Sequence, residues 1–177
     1  MDFESGMNRR WKMSGWQVTN GKSATEPDGD HTTGAGVGSF ALLRRTDGDF
    51  SSPSLKMTQP RCLKFWHYLS GANTEQLEIR NTHSAATKPG TLWRIDASQV
   101  PQSRWLSASV TLDQSPNNVI VTFAGSRSDG SSAVVAVDDV VIGDGVCPPP
   151  GSCDFEDDFC NWRNANLNPD MMHWYQN

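Results

Sequence analysis

Polar and apolar positions alternate along most of this chain. Leu63, Phe65, His67 and Leu69 fall on one side of a two-residue period, and Lys64, Trp66 and Tyr68 on the other. Leu77 and Ile79 alternate with Glu78 and Arg80, and Val110 and Leu112 with Thr111 and Asp113. Val119, Val121 and Phe123 form a further run closed by Gly125. A period of two puts every second side chain on the same face, so each run reads as a half-buried strand. Ala133–Ile142 differs. It reads Ala-Val-Val-Ala-Val-Asp-Asp-Val-Val-Ile, apolar on both faces apart from two acids. That pattern suits a strand in the middle of a sheet, covered on both sides. Turn signals separate the runs at Asp28-Gly29, Asp47-Gly48, Pro89-Gly90, Ser115-Pro116-Asn117-Asn118 and Asp129-Gly130. Helical periodicity is scarce. Many short strands with regular turns indicate an all-β sandwich or jelly roll.

The end of the chain restates its beginning. Asp2-Phe3-Glu4 opens the sequence, and Cys153-Asp154-Phe155-Glu156 opens it again, followed by Cys160, Asn161 and Trp162. About 150 residues separate the two starts, the size of one ordinary domain. The expected organisation is a module over 1–147, a Pro-rich linker over 148–152, and the truncated start of a second copy over 153–177. The last segment holds too little core to fold by itself. Met1 is followed at once by Asp2, Phe3 and Glu4, with no secretory leader, so the chain reads as a piece of a longer protein. Its 177 residues are 36% hydrophobic and 20% charged, which fits a globular protein. The net charge of -5 and the lack of any basic run beyond Arg9-Arg10 and Arg44-Arg45 argue against nucleic acid as a partner.

Four cysteines, Cys62, Cys147, Cys153 and Cys160, allow three pairings. Pro148-Pro149-Pro150 extends by about 3.1 Å per residue and pushes Cys147 away from Cys153. A disulfide needs Cα atoms within roughly 7 Å, so that pairing is disfavoured. The sensible choice is Cys62–Cys147 with Cys153–Cys160. Zinc is the other use of such a set, but the chain has no Cys-x-x-Cys pair and no paired histidines.

Taken in order, Asp2-Phe3-Glu4, Trp16, Gly29-Asp30-His31-Thr32, Cys62-Leu63-Lys64-Phe65-Trp66-His67-Tyr68, Trp93, Trp105, Val137-Asp138-Asp139-Val140 and Cys147-Pro148 resemble the MAM domain. This is the extracellular module shared by meprins, neuropilins and receptor tyrosine phosphatases. The resemblance restarts at Cys153, with Cys160, Trp162, Asp170 and Trp174. It implies a jelly-roll β-sandwich of two antiparallel sheets, with cysteines paired inside each module. The family's usual opening pair of cysteines is absent here, so Met1–Met13 is expected to be less firmly tied. The resemblance also implies a non-catalytic adhesion or protein-interaction module of a secreted or membrane-tethered multidomain protein. Its partners would be other extracellular proteins, further copies of the same chain among them.

Glu4, Asp28, Asp30, Asp138 and Asp139 carry the strongest chemical signal. A hard cation such as calcium wants several oxygen ligands from different segments. Jelly rolls of this kind often hold one where the first strand, an early loop and a late strand meet, which here means Glu4, Asp30 and Asp138. No organic cofactor is implied. Strict alternation lets only one of Asp138 and Asp139 face a given side; the alternative to a bound cation is that one acid is solvated at the strand end and the other bonds backbone amides or Arg127. His31 reads as a turn residue, and His67 as a packed or surface residue rather than a catalytic one. No Gly-x-Ser-x-Gly or His-Glu-x-x-His motif appears, and Gly34-Ala35-Gly36-Val37-Gly38 lacks phosphate-loop spacing, so no enzyme is expected. Two alternatives remain: a carbohydrate-binding jelly roll that uses some of the seven tryptophans, and an accessory domain of a larger protease or phosphatase.

Overall fold

The structure, a computed structural model, describes residues 10–23, 27–34, 38–71, 74–83, 88–100, 103–129, 133–149 and 152. The chain divides into two compact units, Met1–Cys147 and Pro148–Asn177. Of the second, only Pro148, Pro149 and Ser152 are described; the Ser152 amide donates to the Pro149 carbonyl at 3.0 Å. The expectations for Glu4, Cys153, Cys160 and the repeated start therefore lie outside the described residues.

Among the described residues ten strands build the first unit: β1 (Lys12–Ser14), β2 (Trp16–Asn20), β3 (Ser39–Leu43), β4 (Asp47–Ser51), β5 (Arg61–Ser70), β6 (Gln76–His83), β7 (Gly90–Asp96), β8 (Trp105–Leu112), β9 (Val119–Ser126) and β10 (Val134–Asp144). They form two five-stranded antiparallel sheets, β1-β4-β9-β6-β7 and β2-β3-β10-β5-β8. The fold is an all-β jelly-roll sandwich, as the alternation predicts. Among the described residues only two short 3-10 turns, Gly21–Ser23 and Ala97–Gln99, depart from strand and loop. No helix there is long and apolar enough to cross a membrane.

The period of two decides what is buried. Leu63, Phe65 and Leu69 of β5 meet Leu77 and Ile79 of β6 and Val121 and Phe123 of β9 between the sheets. Trp11, Phe50, Phe123, Phe65 and Trp93 make successive ring contacts through this core, with centroids 4.7, 5.5, 5.1 and 5.4 Å apart. β10 lies between β3 and β5 and is covered on both faces, as its composition predicts. Val135 and Val137 enter the main core. Val134 and Ala136 join Phe40, Leu42 and Tyr68 in a smaller cluster on the outer face, against Trp105.

Asp47-Gly48 reads as a turn in the sequence but lies inside β4. The reason is packing. Gly48 pairs with Gly125 of β9, and Leu43 of the opposite sheet lies where side chains of both would go, with Trp16 beside Gly125. The two glycines let the sheets close without spacers.

Cys62 and Cys147 form a disulfide, with Cα atoms 4.7 Å apart across a sequence separation of 85. Gly145, at φ +90°, turns the chain after β10, and its amide donates to Pro60 O at 2.9 Å. The Cys147 amide then donates to Thr111 Oγ1 at 3.0 Å. The last residues of the unit are thereby held across β5 and β8.

Candidate functional site

The acids of β10 meet the loop 27–33 over the outer face of the second sheet. Their geometry departs from the expected alternation. Asp138 pairs with Trp66 and Val141 with Lys64, so Asp139 and Val140 together oppose Phe65. This is a β-bulge with one extra residue. Asp139 takes φ +48°, a left-handed conformation that Asp tolerates better than most residues. The bulge turns both carboxylates toward the same loop. The expectation that only one acid can face it is thus corrected: the alternation rule holds only in an unbroken ladder.

Each carboxylate has a distinct set of partners. Asp138 accepts the His31 amide at 3.0 Å and the Asp139 amide at 2.8 Å. Asp139 lies 2.9 Å from His31 Nδ1 and accepts from Thr32 Oγ1 at 3.0 and 2.9 Å. Asp30 accepts the amide and hydroxyl of its own neighbour Thr33. Its carboxylate fills the space where a side chain at Gly38 would begin. The His31 ring stacks on Trp66, with centroids 3.5 Å apart and planes at 14°. Trp105 Nε1 donates to Gly29 O at 3.1 Å, which fastens the other end of the loop. His31 is a turn residue as expected, and it also couples Asp139 to Trp66. Arg127 is engaged elsewhere. Its guanidinium holds the carbonyls of Arg44, Arg45 and Ala133.

Burial and charge set the electrostatics. Asp30 is 1% and Asp138 2% exposed. Burial, joined by the charges of Asp139 and Asp30, outweighs the two amide bonds and pushes the Asp138 carboxyl up to about 7. The His31 and Thr32 bonds hold the Asp139 carboxyl below its ordinary value. Neither Asp30 nor Asp138 is ion-paired to Lys or Arg among the described residues. The pair is short of positive charge, and each carboxylate keeps lone pairs beyond its two bonds. That donor set fits a hard cation. Among the described residues, however, no three His, Cys, Asp or Glu side chains stand in ligand geometry.

Other chemically suggestive groups have structural roles. His67 is 3% exposed, with its ring 5.4 Å from Trp93 and 6.2 Å from Phe65. Burial lowers its pKa to about 4, so it is a neutral core residue. Ser115 Oγ lies 3.2 Å from His83 Nδ1, but it already accepts the Asn117 amide. On the other side of that ring the Asn81 amide nitrogen faces Nε2 at 3.4 Å, which makes Nε2 the acceptor and leaves Nδ1 the donor. The serine is then an acceptor, the reverse of an activated nucleophile. Of the described tryptophans, Trp11 and Trp16 are buried, Trp66 carries the His31 ring on one face, Trp93 packs against Phe65 and His67, and Trp105 is tied to the 27–33 loop.

Comparison with known proteins identifies the family and the fold. The family profile described as MAM domain, meprin/A5/mu, matches residues 2–148. The chain belongs to the MAM domain family. MAM domain-containing protein 2 of Homo sapiens is 28% identical over 176 residues, covering 90% of this chain and 25% of that protein. Neuropilin-1 of Xenopus laevis is 28% identical over 142 residues, covering 75% of this chain and 14% of the other. The chain thus spans a quarter or less of these relatives. Among solved structures, the K1 cleaved adhesin domain of Lys-gingipain from Porphyromonas gingivalis W83 superposes with a TM-score of 0.62 at 16% identity, covering 82% of this chain and 96% of that one. The CBM22-1 xylan-binding domain of Paenibacillus barcinonensis Xyn10C gives 0.56 at 13%, covering 83% and 93%. At these identities the likeness concerns the fold alone.

Proposed function

We propose that this MAM module is a non-catalytic adhesion and protein-interaction unit of a secreted or membrane-tethered extracellular protein. The observation that carries the reading is the Cys62–Cys147 disulfide closing the module. A bond of this kind persists in oxidising compartments. Membership of the family supports the same reading. The partners are other extracellular proteins, copies of the chain included, and affinity builds through linked modules rather than a single one. Sedimentation velocity tests this. Residues 1–147 made in an oxidising compartment self-associate weakly or not at all, whereas tight dimerisation of that piece contradicts the role given to linkage.

Within this reading, Asp30 and Asp138 hold calcium or another hard cation, with Glu4 as a further ligand. The cation supplies the positive charge that the buried pair lacks and fixes the 27–33 loop to β10. Calcium then raises the melting temperature of the wild type and leaves that of Asp138→Asn unchanged. A calcium response that survives this substitution removes Asp138 from the site.

A further inference from the structure

The outward face of the first sheet carries a polar depression of about 400 Å³. It arises from residue size. Ser14, Asp49, Ala124 and Glu78 are successive cross-strand neighbours, as are Asp47, Ser126 and Gln76 in the adjoining row. Ala124 and Ser126 are short, and the Gly48–Gly125 pair between them packs straight onto Leu43, with Trp16 beneath Gly125. No long side chain rises from the floor, while Asp49, Gln76 and Arg80 rise around it.

The rim is pre-oriented. Arg80 Nη2 donates to Glu78 Oε2 at 2.7 Å, and Glu78 also accepts from Thr91. Gln76 Nε2 donates to Asp96 Oδ1 at 2.6 Å. These bonds limit the side-chain entropy lost when a ligand arrives. The charges lining the depression balance, Arg45 and Arg80 against Asp47 and Asp49. An apolar segment finds little to bury there, a polyanion meets Asp47 and Asp49, and a polycation meets Arg45 and Arg80. A neutral chain rich in adjacent hydroxyls satisfies all of them. Carboxylates accept from paired hydroxyls and guanidinium donates to them, each with two parallel bonds.

We infer that this face binds a neutral oligosaccharide through hydrogen bonds from Asp49, Gln76 and Arg80 over the Ala124–Ser126 floor. The inference does not rest on the protein-interaction reading.

The test titrates the isotopically labelled 177-residue chain with neutral xylohexaose, cellohexaose and mannohexaose. A heparin-derived hexasaccharide serves as the anionic control. With at least one neutral sugar, amide shifts change at Gly48, Ala124, Gly125 and Ser126. Asp49→Ala and Gln76→Ala each weaken binding by about tenfold, the loss of one good hydrogen bond. Ala124→Lys, which fills the floor, abolishes binding. Melting temperatures confirm that the variants fold; Asp49 is exposed, and Ala124, though buried, lies in the outward-facing row between Asp49 and Glu78. The proposal is overturned if none of the three neutral sugars shifts these amides, if binding survives Ala124→Lys, or if the shifts map to the Trp66 face. Equal or tighter binding of the anionic sugar at the same amides overturns it too.

Discussion

Removing the Cys62–Cys147 bond tests whether the sulfur link governs the stability of the whole module or only of its end. The bond closes a loop across a sequence separation of 85. On the chain-entropy account, a loop of that length restricts the unfolded state by about 4.5 kcal/mol. For a domain of this size, that is a fall in melting temperature of about 10–15 °C. A local account gives a different number. After β10 the chain end is also held by the Gly145 bond to Pro60 and the Cys147 bond to Thr111. If reduction merely frees that end, about one or two hydrogen bonds are lost, roughly 1–2 kcal/mol. Urea unfolding of oxidised wild type, reduced wild type, and the Cys62→Ser, Cys147→Ser double variant separates the two. Reduction and double substitution are expected to agree, each lowering stability by about 4 kcal/mol or more. A loss under about 2 kcal/mol in both refutes the global account.

Three further outcomes are expected. Gly125→Ala places a Cβ 2.7 Å from Trp16 Cζ2 and 3.0 Å from Leu43 Cδ2, so urea denaturation shows a loss of about 1–3 kcal/mol. Two buried groups give opposing pH dependences in cation-free protein. Folding raises the Asp138 pKa from 3.8 to about 7, so its contribution is full below pH 4 and is lost as pH rises to 7, up to about 4 kcal/mol. Folding lowers the His67 pKa from 6.5 to about 4, so its contribution is full above pH 6.5 and is lost as pH falls to 4, up to about 3 kcal/mol. Over that range the two contributions largely offset each other. His67→Phe unmasks a decline with rising pH, and an unchanged profile in that variant refutes the pairing. Deleting Asp139 keeps the folded spectrum and melting cooperativity but removes the His31 and Thr32 contacts, which shows as lost hydrogen-exchange protection in the 27–33 loop.

The sandwich was legible because burial on one face writes itself into every second residue. β5, β6, β8 and β9 fall where Leu63–Leu69, Leu77–Arg80, Val110–Asp113 and Val119–Phe123 alternate. The Cys62–Cys147 pairing was legible from two things together: the stiff segment after Cys147 sets it apart from Cys153, and the resemblance pairs cysteines inside each module. What alternation cannot convey is which outward face gains a second cover. Trp66 and Tyr68 point away from the main core, yet Tyr68 is only 6% exposed, because Phe40, Leu42 and Trp105 gather around it. Gly48 misled for a related reason: glycine serves in a turn and in a close sheet contact, and only the opposing Leu43 distinguishes them. Asp30, Asp138 and Asp139 all stood out as acids, two of them in an apolar strand, but the shared orientation of Asp138 and Asp139, the Thr32 contacts and the His31–Trp66 stack were missed.

The bulge explains that miss and also why it is tolerated. In the folded strand Val135, Val137, Val140 and Ile142 turn inward, and Val134, Ala136 and Asp138 outward. The inward series steps by two, then three, then two. Removing Asp139 on paper restores strict alternation, with Asp138 and Val141 outward and Val140 and Ile142 inward. Asp139 is therefore the single residue added to an otherwise regular strand, and the apolar residues on both sides keep their faces. A run apolar at almost every position hides a step of three, which is why the pattern gives no warning. The energetic cost is confined to one left-handed residue and one interrupted stretch of ladder. What results is a second carboxylate beside Asp138, aimed at the loop that His31 and Trp105 hold down. The core thus specifies the fold without reference to Asp139, and the site is an insertion that the core does not feel.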